Sequence, residues 1–176
     1  MRPRTIELRA MRSDVERTRY HAIRETCIFE LYHHADGPYP CRYDPGHPDE
    51  SAPGHHPLVL CLDGAVAGTI RIDMKPDGRA VLRLIAIAPE YRGEGLGGAL
   101  LAEAEAFARR AGATRLCVNA RRPALGFYSR SGFQPGHWDG CTTCPEGVPL
   151  VKPLAASLDG RATTRRAPAA AVRQAA

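Results

Sequence analysis

Apolar and polar residues alternate in the opening segment, where Ile6 and Leu8 fall on one side and Thr5 and Glu7 on the other, so Thr5–Leu8 is predicted to be a short strand. Ser13-Asp14 then offers side-chain oxygens to free helix amides, and Val15 through Leu31 carries a pattern long enough for one or two helices. Between His34 and His56 the chain is dense in Gly, Pro, Asp and His and has no period, the mark of a long surface loop. A continuous apolar run at Leu58–Leu62, the tight-turn pair Asp63-Gly64 and the segment Val66–Asp73 read as a hairpin. Ala80–Ile87 follows a second turn, Pro76-Asp77-Gly78, so the middle of the protein is an antiparallel meander.

The period then changes. Leu96, Leu100, Ala104, Phe107 and Ala111 form one stripe of a helix from about Gly95 to Ala111, and Gly112 stops it. Leu116–Asn119 is a short strand, Pro123 suits the first turn of a helix running through Ser131, and Gly132 ends that helix. Phe133–Trp138 and Val148–Leu154 complete the set as two further strands. From Ala155 onward the chain is rich in Ala, Arg and Pro and poor in large apolar residues, which predicts a disordered tail, 155–176, behind a single domain, 1–154.

With 176 residues, 44% of them hydrophobic and 24% charged, the chain suits one ordinary globular domain. The net charge of +5 is concentrated at one end. Arg161, Arg165, Arg166 and Arg173 lie in the tail, and subtracting those four from 24 basic residues leaves 20 against 19 acidic ones. A nearly neutral body argues against nucleic-acid binding. No apolar run approaches the ~20 residues of a membrane span, and the first ten residues lack the ~7–15-residue apolar stretch of an export signal. A cytoplasmic protein is the expectation, with Cys27, Cys41, Cys61, Cys117, Cys141 and Cys144 as reduced thiols and Cys61 and Cys117 as small core residues.

The stretch with most chemistry is Ile85-Ala86-Ile87, then Ala88 to Glu90, then Tyr91-Arg92-Gly93-Glu94-Gly95-Leu96-Gly97-Gly98, a strand running through an Arg/Gly-rich turn into an amphipathic helix. A helix N-terminus presents unpaired amides and partial positive charge, and glycines let a diphosphate approach them. Arg92 adds a full charge. A mere tight connection is the plainer reading of the same glycines. A P-loop is excluded because Ala99-Leu100 follows Gly98 where Lys-Ser/Thr is required. A dinucleotide fold is disfavoured because a meander precedes the turn.

Arg92-Gly93-Glu94-Gly95-Leu96-Gly97 resembles the Arg/Gln-x-x-Gly-x-Gly/Ala signature of the GCN5-related N-acetyltransferases, the GNAT family. Asn119-Ala120-Arg121, Ala124 to Tyr128 and Gly132-Phe133 are similar to that family's later motif. The resemblance implies an α/β fold: a central mixed, mostly antiparallel sheet with a splayed parallel pair and helices on both faces. It implies acetyl-CoA as acyl donor, with Ile85, Ala86 and Ile87 pairing with the pantetheine arm. Arg92, Gly93, Gly95, Leu96, Gly97 and Gly98 would hold the pyrophosphate, and Asn119 would contact the cofactor. Tyr128 matches the residue that protonates the departing thiolate in many members; an aromatic packed on the cofactor is the alternative. The implied activity is direct N-acetylation of a small-molecule or peptide amine, and open sheets of this family often pair as homodimers.

That reaction needs a neutral amine, and no acid occurs between Asp77 and Glu90, where many relatives carry a Glu. Asp73, Glu25, Glu30, His55 and His56 are the candidate bases, and Arg83 is either a substrate-carboxylate ligand or a solvated arginine. The missing acid keeps a non-catalytic acyl-CoA-binding or metabolite-binding regulatory domain open. Cys141-Thr142-Thr143-Cys144, with His137 upstream, raises a third reading as a zinc- or thiol-based module, though one knuckle is half a tetrahedral site and two unlinked thiols are the simplest case. No metal site is assigned.

Overall fold

A computed structural model describes residues 4–30, 43–141 and 147–155. Its strands are β1 (Ile6–Arg9), β2 (His55–Leu62), β3 (Ala65–Met74), β4 (Arg79–Ile87), β5 (Arg115–Arg121), β6 (Gln134–Pro135) and β7 (Gly147–Pro153). Its α-helices are α1 (Asp14–Arg24), α2 (Leu96–Arg110) and α3 (Leu125–Arg130). The strands form one sheet in the order β1-β2-β3-β4-β5-β7-β6, antiparallel throughout except for the β4–β5 pair.

Alternation along the central strands sends side chains to two cores. Leu58, Leu60, Leu62, Ile70 and Ile72 pack with Leu100, Leu101 and Ala104 of α2 and Tyr128 of α3. Val59, Cys61 and Ala86 face the other way, against Tyr20 and Ile23 of α1. A polar row, Thr69, Arg71 and Asp73, is buried on β3 between the inward-facing Ile70 and Ile72.

Ser13 caps α1 through a hydrogen bond from the Glu16 N–H. The helix does not continue regularly to Leu31: Glu25–Phe29 forms a π-helical turn, Glu30 ends the described segment, and Leu31 lies outside it. The aperiodic segment ends in a 3₁₀ turn, Pro48–Glu50, and β2 begins at His55, earlier than the apolar run, because His55, His56 and Pro57 pair with Asp73, Ile72 and Arg71. The predicted strand Phe133–Trp138 shrinks to Gln134–Pro135, since Pro135 has no N–H for a ladder; Phe133 and Trp138 are buried nevertheless. Most of the predicted tail, 156–176, lies outside the described residues, as do His34 to Arg42 and Cys144.

Candidate active site between the splayed strands

Strands β4 and β5 pair only at Arg79 with Arg115, Ala80 with Leu116 and Val81 with Cys117. Beyond that point β5 continues on β7 to Arg121, whereas β4 stays with β3, so the two parallel strands part. Leu84 forces the separation. It adopts φ +51, and the register against β3 shifts between Thr69 and Arg71, which marks a β-bulge that bends β4 away. The gap opens into a cavity of about 870 Å³, walled by Leu82 to Ile85 on one side and Val118 to Arg121 on the other. Past Val81, the β4 edge facing this gap has no strand partner among the described residues.

At the C-terminal end of β4, Pro89–Tyr91 makes one 3₁₀ turn and Arg92 donates from Nε to the Ile87 carbonyl at 3.1 Å, fastening the turn to the strand. Gly93 (φ +82) and Gly95 (φ +80) take left-handed conformations that side chains disfavour. Gly95 caps α2 without any side-chain hydrogen bond, and no acid lies in the first helical turn. The first intrahelical bonds run from the Gly98 and Ala99 amides to the Gly95 carbonyl, so the Leu96 and Gly97 amides precede the ladder. Arg92, Gly93, Gly95 and Gly98 are exposed, while Leu96 is core. A side chain at Gly97 would stand 3.5 Å from the Phe127 ring, which places the turn beside α3.

Of the remaining candidates, Ile85, Asn119 and Tyr128 line the cavity, whereas Ala86 points into the α1 core and Ile87 packs toward α2. Asn119 donates from Nδ2 to the Cys141 carbonyl at 2.6 Å, and its buried Oδ1 has no partner among the described residues. Tyr128 is 6% exposed, with its ring edge-on to Phe127 and Phe133. Burial pushes its phenol up to about 12, so the group carries its proton throughout the neutral range.

The opposite end of the cavity is polar. Arg71 spans three carboxylates: Nε to Asp73 at 2.8 Å, Nη1 to Glu50 at 3.3 Å and Nη2 to Asp49 at 3.3 Å. Glu50 also receives the Tyr20 hydroxyl at 2.9 Å and pairs with the fully buried Arg24 at 2.7 Å. Burial by itself would raise the Glu50 pKa, but the paired charge of Arg24, with the Tyr20 hydroxyl and the charge of Arg71, outweighs it and holds the carboxyl below its usual range. Tyr43 Oη and His21 Nδ1 share a hydrogen bond at 2.6 Å and the Tyr43 ring meets Phe29, both Tyr43 and Phe29 facing the cavity. Burial lowers the His21 pKa, which favours the neutral ring.

A family model described as the acetyltransferase (GNAT) family matches residues 17–133. The chain belongs to the GNAT family. A Bacillus subtilis (strain 168) protein, provisionally named a ribosomal protein bS18-alanine N-acetyltransferase, is 39% identical over 87 residues, 48% of this chain and 57% of that protein. The match thus spans little more than half of that relative's length. A crystal structure of a provisionally assigned N-acetyltransferase from Lactobacillus plantarum superposes with a TM-score of 0.65 at 23% identity, covering 88% of this chain and 100% of that one. PaiA N-acetyltransferase from Thermoplasma acidophilum, solved in complex with coenzyme A, gives 0.60 at 19% identity, covering 85% and 99%. At those identities the likeness establishes the GNAT fold: a mixed sheet with one parallel pair and helices on both faces.

GNAT proteins use acetyl-CoA as acyl donor, and the residues present here fit that group. An unpartnered β4 edge suits an amide-bearing arm, the buried Asn119 Oδ1 lacks a donor, and the glycine cradle at α2 has open amides and no competing acid. Sequence reasoning missed Arg71, Glu50 and Tyr43. Arg71 had a signal, since Thr69, Arg71 and Asp73 alternate with Ile70 and Ile72. Glu50 and Tyr43 had none, lying in an aperiodic segment. Among the described residues no cluster of metal-ligating side chains exists; Cys141 Sγ stands 3.9 Å from His137 Nδ1 alone.

Proposed function

We propose that this chain is an acetyl-CoA-dependent N-acetyltransferase that transfers the acetyl group directly to the amine of a small molecule or peptide. The observation that carries the reading is the parting of β4 from β5 after Val81 and Cys117, which leaves a strand edge and a cavity leading from the Arg92–Gly98 turn's neighbour, α3, to the polar wall around Arg71. When bound, acetyl-CoA supplies a thioester, an acyl group already activated toward nitrogen nucleophiles.

The chain's own residues do the rest. The backbone of Ile85, Ala86 and Ile87 orients the pantetheine arm along the open edge of β4. Arg92 and the amides of Gly93 through Gly97 bind the diphosphate, with Gly98 leaving room beside them, through charge, open backbone and the positive end of α2. Asn119 accepts an amide proton at Oδ1. Tyr128, kept protonated by its burial, donates its hydroxyl proton to the leaving sulfur. The relative from Bacillus subtilis makes a protein N-terminal amine one acceptor to try first.

In this reading the protein acts in the cytoplasm, with Cys27, Cys61, Cys117 and Cys141 as buried free thiols. No helix among the described residues is long and apolar enough to cross a membrane. The test is release of free CoA from acetyl-CoA in the presence of an alanine-initiated peptide and of a panel of small amines. Amine-dependent release supports transfer. Tight acetyl-CoA binding with no release across the panel would favour a regulatory domain instead.

A further inference from the structure

The reaction requires that the acceptor ammonium lose a proton, and the cavity contains no acid on β4 to receive it. The five candidates from the sequence separate cleanly. Glu25 and Glu30 are exposed outside the cavity lining, and His56 lies on the opposite face of the sheet against Phe107, 5.2 Å between ring centres. Asp73 lines the cavity, but Arg71 binds both of its oxygens, at 2.8 and 3.2 Å. Glu50 lines it too and is held ionised by Arg24 and Arg71.

His55 differs in kind. Its Nδ1 lies 2.8 Å from the Asp49 carbonyl, an oxygen that can only accept, so Nδ1 carries the proton and the Nε2 lone pair is directed elsewhere. Nε2 accepts a long hydrogen bond from Lys75 Nζ at 3.5 Å, which an acceptor amine would displace, and stands 3.7 Å from Asp73 Oδ2, and the side chain, 11% exposed, lines the cavity. Arg83, from β4, approaches the same Asp73 oxygen at 3.8 Å. From the 3₁₀ turn, Asp49 and Glu50 face Arg71, while His47 Nδ1 is taken up by the Asp49 amide at 3.2 Å. His55 Nε2 is thus a basic nitrogen in a fixed tautomer, with one carboxylate placed to compensate an added proton and one ammonium placed to expel it.

We infer that His55 accepts the proton of the acceptor amine at Nε2. An N–H bond of the ammonium breaks, its electron pair stays on nitrogen as the nucleophilic lone pair, and the proton passes from Nε2 to solvent once the amine has reacted. This assignment rests on the acetyltransferase reading above and deepens it.

Two measurements test it. Imidazole ¹⁵N NMR of the whole protein, with His55→Asn or His55→Gln to assign the resonance, should show the Nδ1–H tautomer, as the Asp49 carbonyl requires. The Nε2–H tautomer, or an imidazole doubly protonated up to pH 9, overturns the assignment without any acceptor being known. In the CoA-release assay His55→Asn, which retains a donor for the Asp49 carbonyl, should lower kcat/KM for the amine about 100-fold at pH 7. The deficit should close above pH 9, where the amine is increasingly neutral by itself, and acetyl-CoA affinity should stay within twofold. A pH profile parallel to that of the unsubstituted protein overturns the assignment. Failure of the unsubstituted protein to bind acetyl-CoA would instead remove the acetyltransferase reading, an outcome distinct from either result for His55.

Discussion

Glu50 is the residue through which the polar wall should be probed first. Its carboxylate is the nearest anion to Arg24, whose side chain is 0% exposed, and one of three around Arg71. Glu50→Gln keeps the shape and one acceptor oxygen but leaves Arg24 a buried cation facing a neutral group. Removing one partner of a buried pair costs about 3–5 kcal/mol. With the Glu50 side chain 16% exposed and an amide oxygen retained, the lower end applies, about 3 kcal/mol. For a domain of this size each kcal/mol moves Tm by about 2–4 °C, so thermal unfolding followed by circular dichroism should shift down by about 6–12 °C. Removing the cation as well, Arg24→Met with Glu50→Gln, should recover most of that loss, because it removes the orphaned charge while an acceptor oxygen stays for Tyr20. The pH dependence has a definite sign. A carboxylate whose folded pKa is depressed contributes its full stabilisation above the unfolded value of about 4.3 and loses it as pH falls through the lower folded value. The gap between the two proteins should therefore be constant near neutrality and shrink in acid below about pH 4.3. A Tm change under 2 °C at pH 7 would refute the reasoning, showing that Arg24 does not depend on Glu50.

Two other substitutions separate cofactor binding from chemistry. Gly98→Asp places a carboxylate in open space on the first turn of α2, so the free protein should unfold at the same or a higher temperature while acetyl-CoA affinity falls at least about 30-fold, measured by calorimetry. Unchanged affinity would remove the diphosphate from this turn. Tyr128→Phe should lower kcat about 100-fold with acetyl-CoA affinity within threefold; equal turnover would make Tyr128 a packing residue between Phe127 and Phe133.

Much of this architecture can be read in the chain because local signals and the tertiary fold agree. The stripe Leu96, Leu100, Ala104 is buried as its spacing demands, and Gly93 and Gly95 hold the left-handed turns that only glycine adopts without strain. The splay of β4 from β5 is expected only through the family resemblance, because no local pattern signals it. It depends on a left-handed Leu84, a conformation no propensity would assign to leucine, imposed by pairing with β3. The extension of β2 back through His55 was hidden for a related reason: a His-His-Pro sequence has no strand signature and is drawn into the sheet by β3. The polar wall was half visible. Asp73 and His55 were recognisable as proton acceptors, yet their different suitability rests on long-range contacts from Arg71 and the Asp49 carbonyl.

The central claim is that the gap between β4 and β5, together with the Arg92–Gly98 turn, is an acetyl-CoA site. Calorimetric titration of acetyl-CoA into the purified protein, with CoA as comparison, tests it most directly. The account predicts saturable 1:1 binding that Gly98→Asp weakens at least about 30-fold and Tyr128→Phe leaves within threefold. Absence of binding by folded protein would contradict it and reduce the Arg/Gly turn to a connection between a strand and a helix.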